Sequence, residues 1–227
     1  MNEKIVLLSN VRKGNVKDDT ISPLRNVNNL SYDEKEKFII NKLRTIWHSM
    51  INRCTNEHHK EYYAYGNIGI KIDPAWFDFD TFLNDCRNLP QYDKFYNDPY
   101  NYQLDKDYLQ LNIPKELRVY SKNTCLFISN RDNTNLRAIE YANSNNLTSK
   151  YYGVTKINDR YLMGVTCNGH KISIYFDDEI AAANAYNYWF EKWHLYDLVK
   201  LYNDVPYMSI EEWTLHITME RNMVKYV

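Results

Sequence analysis

The sequence predicts an α+β chain of two units: a helix-rich N-terminal unit, then a three-stranded antiparallel sheet carrying a helix. Three observations lead there. Apolar residues recur at helical spacing after Ser31, they alternate with period two after Lys150, and Asn168-Gly169 marks a hairpin turn. The 227 residues are 44% hydrophobic and 25% charged, values that argue against wholesale disorder. That length admits one large or two small domains. The chain holds 21 Tyr beside 8 Phe and 5 Trp. Such rings serve cores, interfaces and base-stacking surfaces alike, and AT-rich coding accounts equally well for the abundance of Asn, Tyr, Ile and Lys.

Residues 1–30 read as an arm, Asn-rich, without apolar period, and with a net charge of +2. Ser31 and Glu34 have the spacing of a capping box. Ile39, Leu43, Ile46, Trp47 and Met50 then line one face of a helix ending near Cys54. Gly66 and Gly69 flank a turn, and Ile68, Ile70 and Ile72 alternate as a short strand. Trp76, Phe79 and Phe82 are core anchors, with a short helix over 78–87. Residues 73–107 hold eight aspartates against Arg87, Lys94 and Lys106, a net of −5 that offers a hard cation a place. Residues 115–137 reverse to +3, and the polar stretch 143–150 is a linker.

The second unit follows. Tyr151 to Lys156 is its first strand and Asn158-Asp159 a tight turn. Along Arg160 to Cys167, Tyr161, Met163 and Val165 face one way and Arg160, Leu162 and Thr166 the other. His170 to Phe176 turns Ile172, Ile174 and Phe176 to one side. Asp177 caps a helix whose first turn adds Asp178 and Glu179 at the positive dipole end. Ala182, Ala185, Tyr186, Trp189 and Trp193 make its apolar stripe, the alanines allowing close approach to the sheet. Residues 150–175 carry +3 and residues 177–227 carry −5. The acidic part faces away from DNA or meets a protein partner, and Ile210 to Val224 contains a short helix.

A net charge of −1 excludes a globally basic nucleic-acid binder but not a locally basic face. No apolar run approaches the roughly 18 residues of a membrane span. Ile5 to Leu8 is too short for a signal peptide, so the expected compartment is cytoplasmic. Cys54, Cys86, Cys125 and Cys167 form no CxxC pair and are expected as reduced thiols. His58-His59 beside Cys54 lack the second ligand pair of structural zinc, and no zinc is expected. No heptad persists, and the oligomeric state is not legible.

The segments YYGV, NGHKISIYFD and EIAAANAY, with LYNDV closing, resemble the AP2 DNA-binding domain over residues 150–205. The resemblance implies a sheet lying in the major groove of double-stranded DNA. By position it implies contacts from Tyr152, Thr155, Lys156, Arg160, Thr166 and Lys171, with His170 beside them. The plant domains present several arginines and a tryptophan. Here one Arg and two Lys stand on the sheet, so readout through the guanine-binding fork of Arg is weaker or different. The bland alternative is a small interaction module without a DNA role.

Upstream, LRTIWHSMINRC, YGNIGIKI, AWFDFDTF, LDKD and YSKNTCLFISNRDN resemble phage-encoded HNH-type proteins, homing endonucleases among them, over residues 40–137. The resemblance implies a ββα-metal hairpin and helix within residues 31–143, with 206–227 left as an acidic extension. It places Asp105 as metal ligand, Asp107 assisting, Asn123 bracing the hairpin or ligating, and Asn133 on the helix. Arg131 and Arg137 are further DNA contacts in the basic segment. Carboxylate and amide oxygens suit Mg²⁺ or Mn²⁺, and phosphodiester hydrolysis needs such a cation and a base. One departure stands out. Where active relatives carry a base histidine, this chain has Lys106. An ordinary lysine is protonated at pH 7 and accepts no proton; it is suited to hold a phosphate. His48, His58 and His59 precede the motif and are the other base candidates. Read as a local pattern alone, LDKD is a solvated acidic turn.

Three functions follow as expectations. One is a metal-dependent DNA endonuclease or nickase, intact or degenerate. The second is a non-catalytic phage DNA-binding regulator. The third is an acidic protein that binds a host partner and inhibits a nucleic-acid process.

Overall fold

The computed structural model describes residues 27–142, 147–167 and 170–218. They form two compact units that divide between Leu136 and Arg137. Most of the expected arm, half of the expected linker, the Asn168-Gly169 turn and the residues after Thr218 lie outside the described residues.

In the first unit, helix α1 (Tyr32–Thr55) starts where the capping box places it. The Glu34 amide donates to Ser31 Oγ at 3.4 Å, and the Ser31 amide donates back to Glu34 Oε2 at 3.1 Å. Ile39, Leu43, Met50 and Cys54 are its buried face. They share a core with Trp76, Phe79, Phe82, Phe95 and Phe127, and each such side chain contributes about 1.5–3 kcal/mol by leaving water. Helix α2 (Phe79–Cys86) is capped by Asp78, and α3 (Tyr92–Asn97) follows. The Trp47 indole N–H donates to the Trp76 carbonyl at 2.7 Å, and Trp76 donates to Asp85 at 2.9 Å.

Four short strands complete the unit: β1 (Lys71–Ile72), β2 (Tyr102–Asp105), β3 (Val119–Tyr120) and β4 (Leu126–Ser129). β1 pairs in parallel with β3; β2 pairs antiparallel with β4, Asp105 opposite Leu126. Helix α4 (Asn130–Ala142) leaves β4 directly. Ser129 starts it, accepting the Asp132 amide at 3.1 Å and donating its hydroxyl to that carboxylate at 2.9 Å.

One expectation is corrected here. Ile68 belongs to a 3₁₀ turn (Gly66–Ile68), and only Lys71–Ile72 is extended. The turn needs Gly66, because a Cβ there would overlap the Cys54 carbonyl and the Tyr62 ring; Gly69, at φ 101°, ends it. Several aspartates of the acidic block have local partners. Asp73 and Asp78 cap helical turns, Asp85 accepts from Trp76, and Asp98 accepts from Asn101.

In the second unit β5 (Val154–Ile157), β6 (Arg160–Cys167) and β7 (His170–Phe176) form an antiparallel sheet in that order. Met163, Val165, Ile172, Ile174 and Phe176 pack on Ala182, Ala185, Tyr186 and Trp189 of α5 (Glu179–Lys192). The first strand starts later than Tyr151. Gly153 holds φ 67° against Tyr186, where a Cβ would overlap the ring, and extended backbone resumes at Val154. The helix cap is Asp178, which accepts the Ala181 amide at 2.8 Å, rather than Asp177. Asp177 instead accepts from the Thr218 hydroxyl. Helix α6 (Ile210–Thr214) carries a second capping box from Ser209 and Glu212, and Ile217 then bridges to Phe176.

Three asparagines fasten the chain after α5. Asn184 donates to the Pro206 carbonyl at 3.0 Å, and Asn187 donates to the Asn203 carbonyl at 2.9 Å. The Asn203 side chain accepts the Tyr152 amide at 2.7 Å and donates to the Tyr152 carbonyl at 3.1 Å. The four cysteines are free thiols. No helix among the described residues is long and apolar enough to cross a membrane.

Candidate functional site

The LDKD segment ends β2 and is buried, not a solvated turn. Asp105 is 5% exposed and Lys106 3%. Asp105 Oδ1 accepts the amides of Asp107 at 2.9 Å and Tyr108 at 2.8 Å, which bends the chain out of the strand. Burial pushes its carboxyl up to about 6, against the pull of the Tyr108 and Asp107 amides and Lys106. Among the described residues its Oδ2 accepts no hydrogen bond.

Asp107 is differently placed. Lys106 Nζ lies 2.7 Å from its Oδ1 and 2.9 Å from its Oδ2, and Arg118 Nη1 reaches Oδ1 at 2.8 Å. Burial works to raise its pKa, but the two cations outweigh it and hold the carboxyl below its ordinary range. Both oxygens are thus paired with cations. Asp105, with one carboxylate oxygen open, does fit a hard cation that keeps much of its water. No group of three or more His, Cys, Asp or Glu that could hold a metal is found among the described residues.

Sequence reasoning missed the frame around these groups. Gln110 donates to the Lys106 carbonyl at 2.6 Å and the Val119 carbonyl at 3.0 Å, and accepts the Val119 amide at 3.1 Å. Arg118, counted among the cations of a basic segment, is buried and also donates to the Ile113 carbonyl at 3.0 Å. Lys106 Nζ lies 5.0 Å from the Tyr65 ring centroid and 5.3 Å from that of Tyr120. Arg53 faces the same two rings. The one local signal was the Tyr65-Gly66 turn.

The asparagines are not hydrogen-bonded to Asp105. Asn123 is exposed in the turn after β3, its amide donating to Ser121 Oγ at 3.3 Å. Asn133 is half-buried on α4, where Arg131 and Arg137 are exposed. No hydrogen bond or ion pair joins His48, His58 or His59 to Asp105, Lys106 or Asp107. His59 Nδ1 accepts the Glu61 amide at 3.2 Å.

On the sheet, strand register sorts the DNA candidates. Leu162 lies opposite both Thr155 and Tyr175, and Thr166 opposite Lys171. Thr155, Arg160, Thr166 and Lys171 therefore share the face turned away from α5. The Arg160 guanidinium stacks 4.7 Å from the Tyr175 ring centroid on that face. Lys156 pairs with Tyr161, a residue of the α5-facing side, and its Nζ lies 5.9 Å from that ring centroid. Lys156 therefore lies on the face opposite Thr155, because adjacent residues of a strand point oppositely. His170 pairs with Cys167 and has the parity of Ile172, so it too belongs to the helix side, and Tyr152 precedes the strand.

Comparison with protein-family models, with curated proteins and with solved structures finds no match for this chain.

Proposed function

We propose that the chain is a metal-dependent DNA endonuclease or nickase of the HNH type that docks on double-stranded DNA through an AP2-like sheet. The observation that carries the reading is Asp105. It is a buried carboxylate at the end of β2, with one oxygen open, in a unit that runs strand, strand, helix through β2, β4 and α4. Mg²⁺ or Mn²⁺ would be held by Asp105, with the Asn133 amide as the further ligand. When bound, the cation supplies charge stabilisation at the phosphate oxygens. The protein's own part is to hold Asp105 in place, through the amides of Asp107 and Tyr108, and to keep water from the carboxylate's inner side. The outer sheet face, with Arg160, Lys171, Thr155 and Thr166, supplies the DNA contacts.

The test is incubation with supercoiled plasmid in Mg²⁺ or Mn²⁺ against EDTA, beside Asp105→Ala. Nicking that needs the metal and vanishes in the variant is the expected result.

A second reading, a non-catalytic DNA-binding regulator, is favoured by one observation. The residue after Asp105 is a lysine tied to Asp107, and no histidine hydrogen-bonds to this segment. Plasmid bound in a gel shift but uncut in either metal selects it.

A further inference from the structure

Arg53 carries a charge that forms no ion pair among the described residues. Its Nε is closed to solvent and has no hydrogen-bond partner. What it meets is aromatic: its guanidinium carbon lies 4.6 Å from the Tyr65 ring centroid and 5.2 Å from that of Tyr120. Lys106 Nζ lies over the same two rings. Two cations thus share one aromatic frame. The carboxylate that pairs with Lys106, Asp107, is divided between Lys106 and Arg118. Glu61 acts on Arg53 from beyond ion-pair distance.

A cation–π contact replaces only part of the hydration that a cation loses on burial. Asp107 serves Lys106 and Arg118, and no carboxylate forms an ion pair with Arg53 among the described residues. An anion at Arg53 would supply that counter-charge. The guanidinium offers a planar fork that matches phosphate oxygens. Lys106 spends two of its three donors on Asp107 and keeps the third. Arg53 and Tyr65 are only half-buried, so the group has a side open to solvent.

We infer that Arg53, with Lys106 beside it and Tyr65 and Tyr120 framing it, is a seat for a tetrahedral oxyanion, a phosphate of the DNA backbone. The identity of that anion rests on the proposed function; the seat itself rests on Arg53. Lys106, over the same two rings, is the residue that follows Asp105 in the chain.

The experiment is thermal unfolding of the full chain in inorganic phosphate against chloride at equal ionic strength. It compares the natural protein with Arg53→Met and Arg53→Lys. The natural protein is expected to gain roughly 3–6 °C in Tm at phosphate about ten times its Kd. Arg53→Met, which removes the uncompensated charge but keeps the length, is expected to match or exceed its Tm in chloride and to lose the phosphate gain. No phosphate gain in the natural protein overturns the seat, and so does an undiminished gain in Arg53→Met. If Arg53→Met does not fold, Arg53→Lys decides: a reduced gain supports the seat and a full gain overturns it. A gel shift with a short DNA duplex separates the seat from the function. Duplex binding without any phosphate gain overturns the seat and leaves the DNA reading. A gain that needs Arg53, in a chain that binds no duplex, upholds the seat and overturns the DNA reading.

Discussion

Lys106 Nζ lies 2.7 Å from Asp107 Oδ1, and the lysine is almost wholly buried with that contact. The pairing divides the two aspartates of the LDKD segment into different roles. Asp107 is neutralised by Lys106 and Arg118 and serves the fold. Asp105, two residues earlier on the same bend, is held by backbone amides alone and keeps an oxygen open. A lysine in this place is therefore part of the scaffold that separates them.

Lys106→Met should cost about 1–3 kcal/mol at pH 7, since Arg118 still partners Asp107 but the other contact is lost. The sign with pH follows from Asp107, whose carboxyl is held below its ordinary range. A depressed carboxyl contributes stability above its unfolded pKa, and loses it as pH falls through the folded one. The deficit of the variant should thus be greatest near neutrality and shrink in acid. Urea unfolding at several pH values reads it, and equal stability at pH 7 would show that the ion pair contributes nothing.

Asp105→Asn should move stability the opposite way. Burial raises this carboxyl from 3.8 to about 6. A raised carboxyl binds more protons folded than unfolded between those values, so its stability contribution falls as pH rises from about 4 to 6 and stays low above. Asparagine keeps the acceptor for the two amides and has no charge to bury. In metal-free buffer the variant should equal the natural protein near pH 4 and exceed it by on the order of 2–3 kcal/mol at pH 7.5. A constant difference across that range would refute the assignment. The same variant should abolish metal-dependent nicking.

What the sequence makes legible is what is local or periodic. The Ser31–Glu34 capping box and the apolar face from Ile39 to Met50 are set by residues within one or two turns. The alternation of Ile172, Ile174 and Phe176 fixes a strand face in the same way. The Arg53, Tyr65, Tyr120 and Lys106 frame is of another kind. It depends on a two-residue parallel pairing of Lys71 with Val119, far apart in the chain and without a pattern of its own. The side that Lys156 takes is a matter of strand parity, which a motif carried over position by position does not give and which turns Lys156 away from its neighbour Thr155.

That parity makes a binding prediction. If the outer face docks on DNA, Arg160→Ala and Lys171→Ala should each lower affinity and reduce the slope of log K against log salt by about 1. Lys156→Ala, on the helix side, should change the slope less than either. Fluorescence anisotropy with a short duplex over a salt series measures all three. An effect of Lys156 as large as that of Arg160 would place DNA at the sheet edge rather than on its face.

The most consequential bonds outside the candidate metal site join Asn187 to Asn203. The Asn203 amide donates to Asn187 Oδ1 at 2.8 Å while Asn187 donates back to its carbonyl, and Asn203 is 3% exposed. Asn203 in turn holds both backbone groups of Tyr152, just ahead of Gly153 and β5. Asn187→Leu leaves a buried donor and a buried acceptor unpaired, and should cost about 2–5 kcal/mol. Asn203→Ala removes the grip on Tyr152 and should cost a similar amount. Because the two residues act as one clasp, the double variant should lose clearly less than the sum of the singles. Urea unfolding of the four proteins gives the coupling, and strict additivity would mean that the clasp is not a unit.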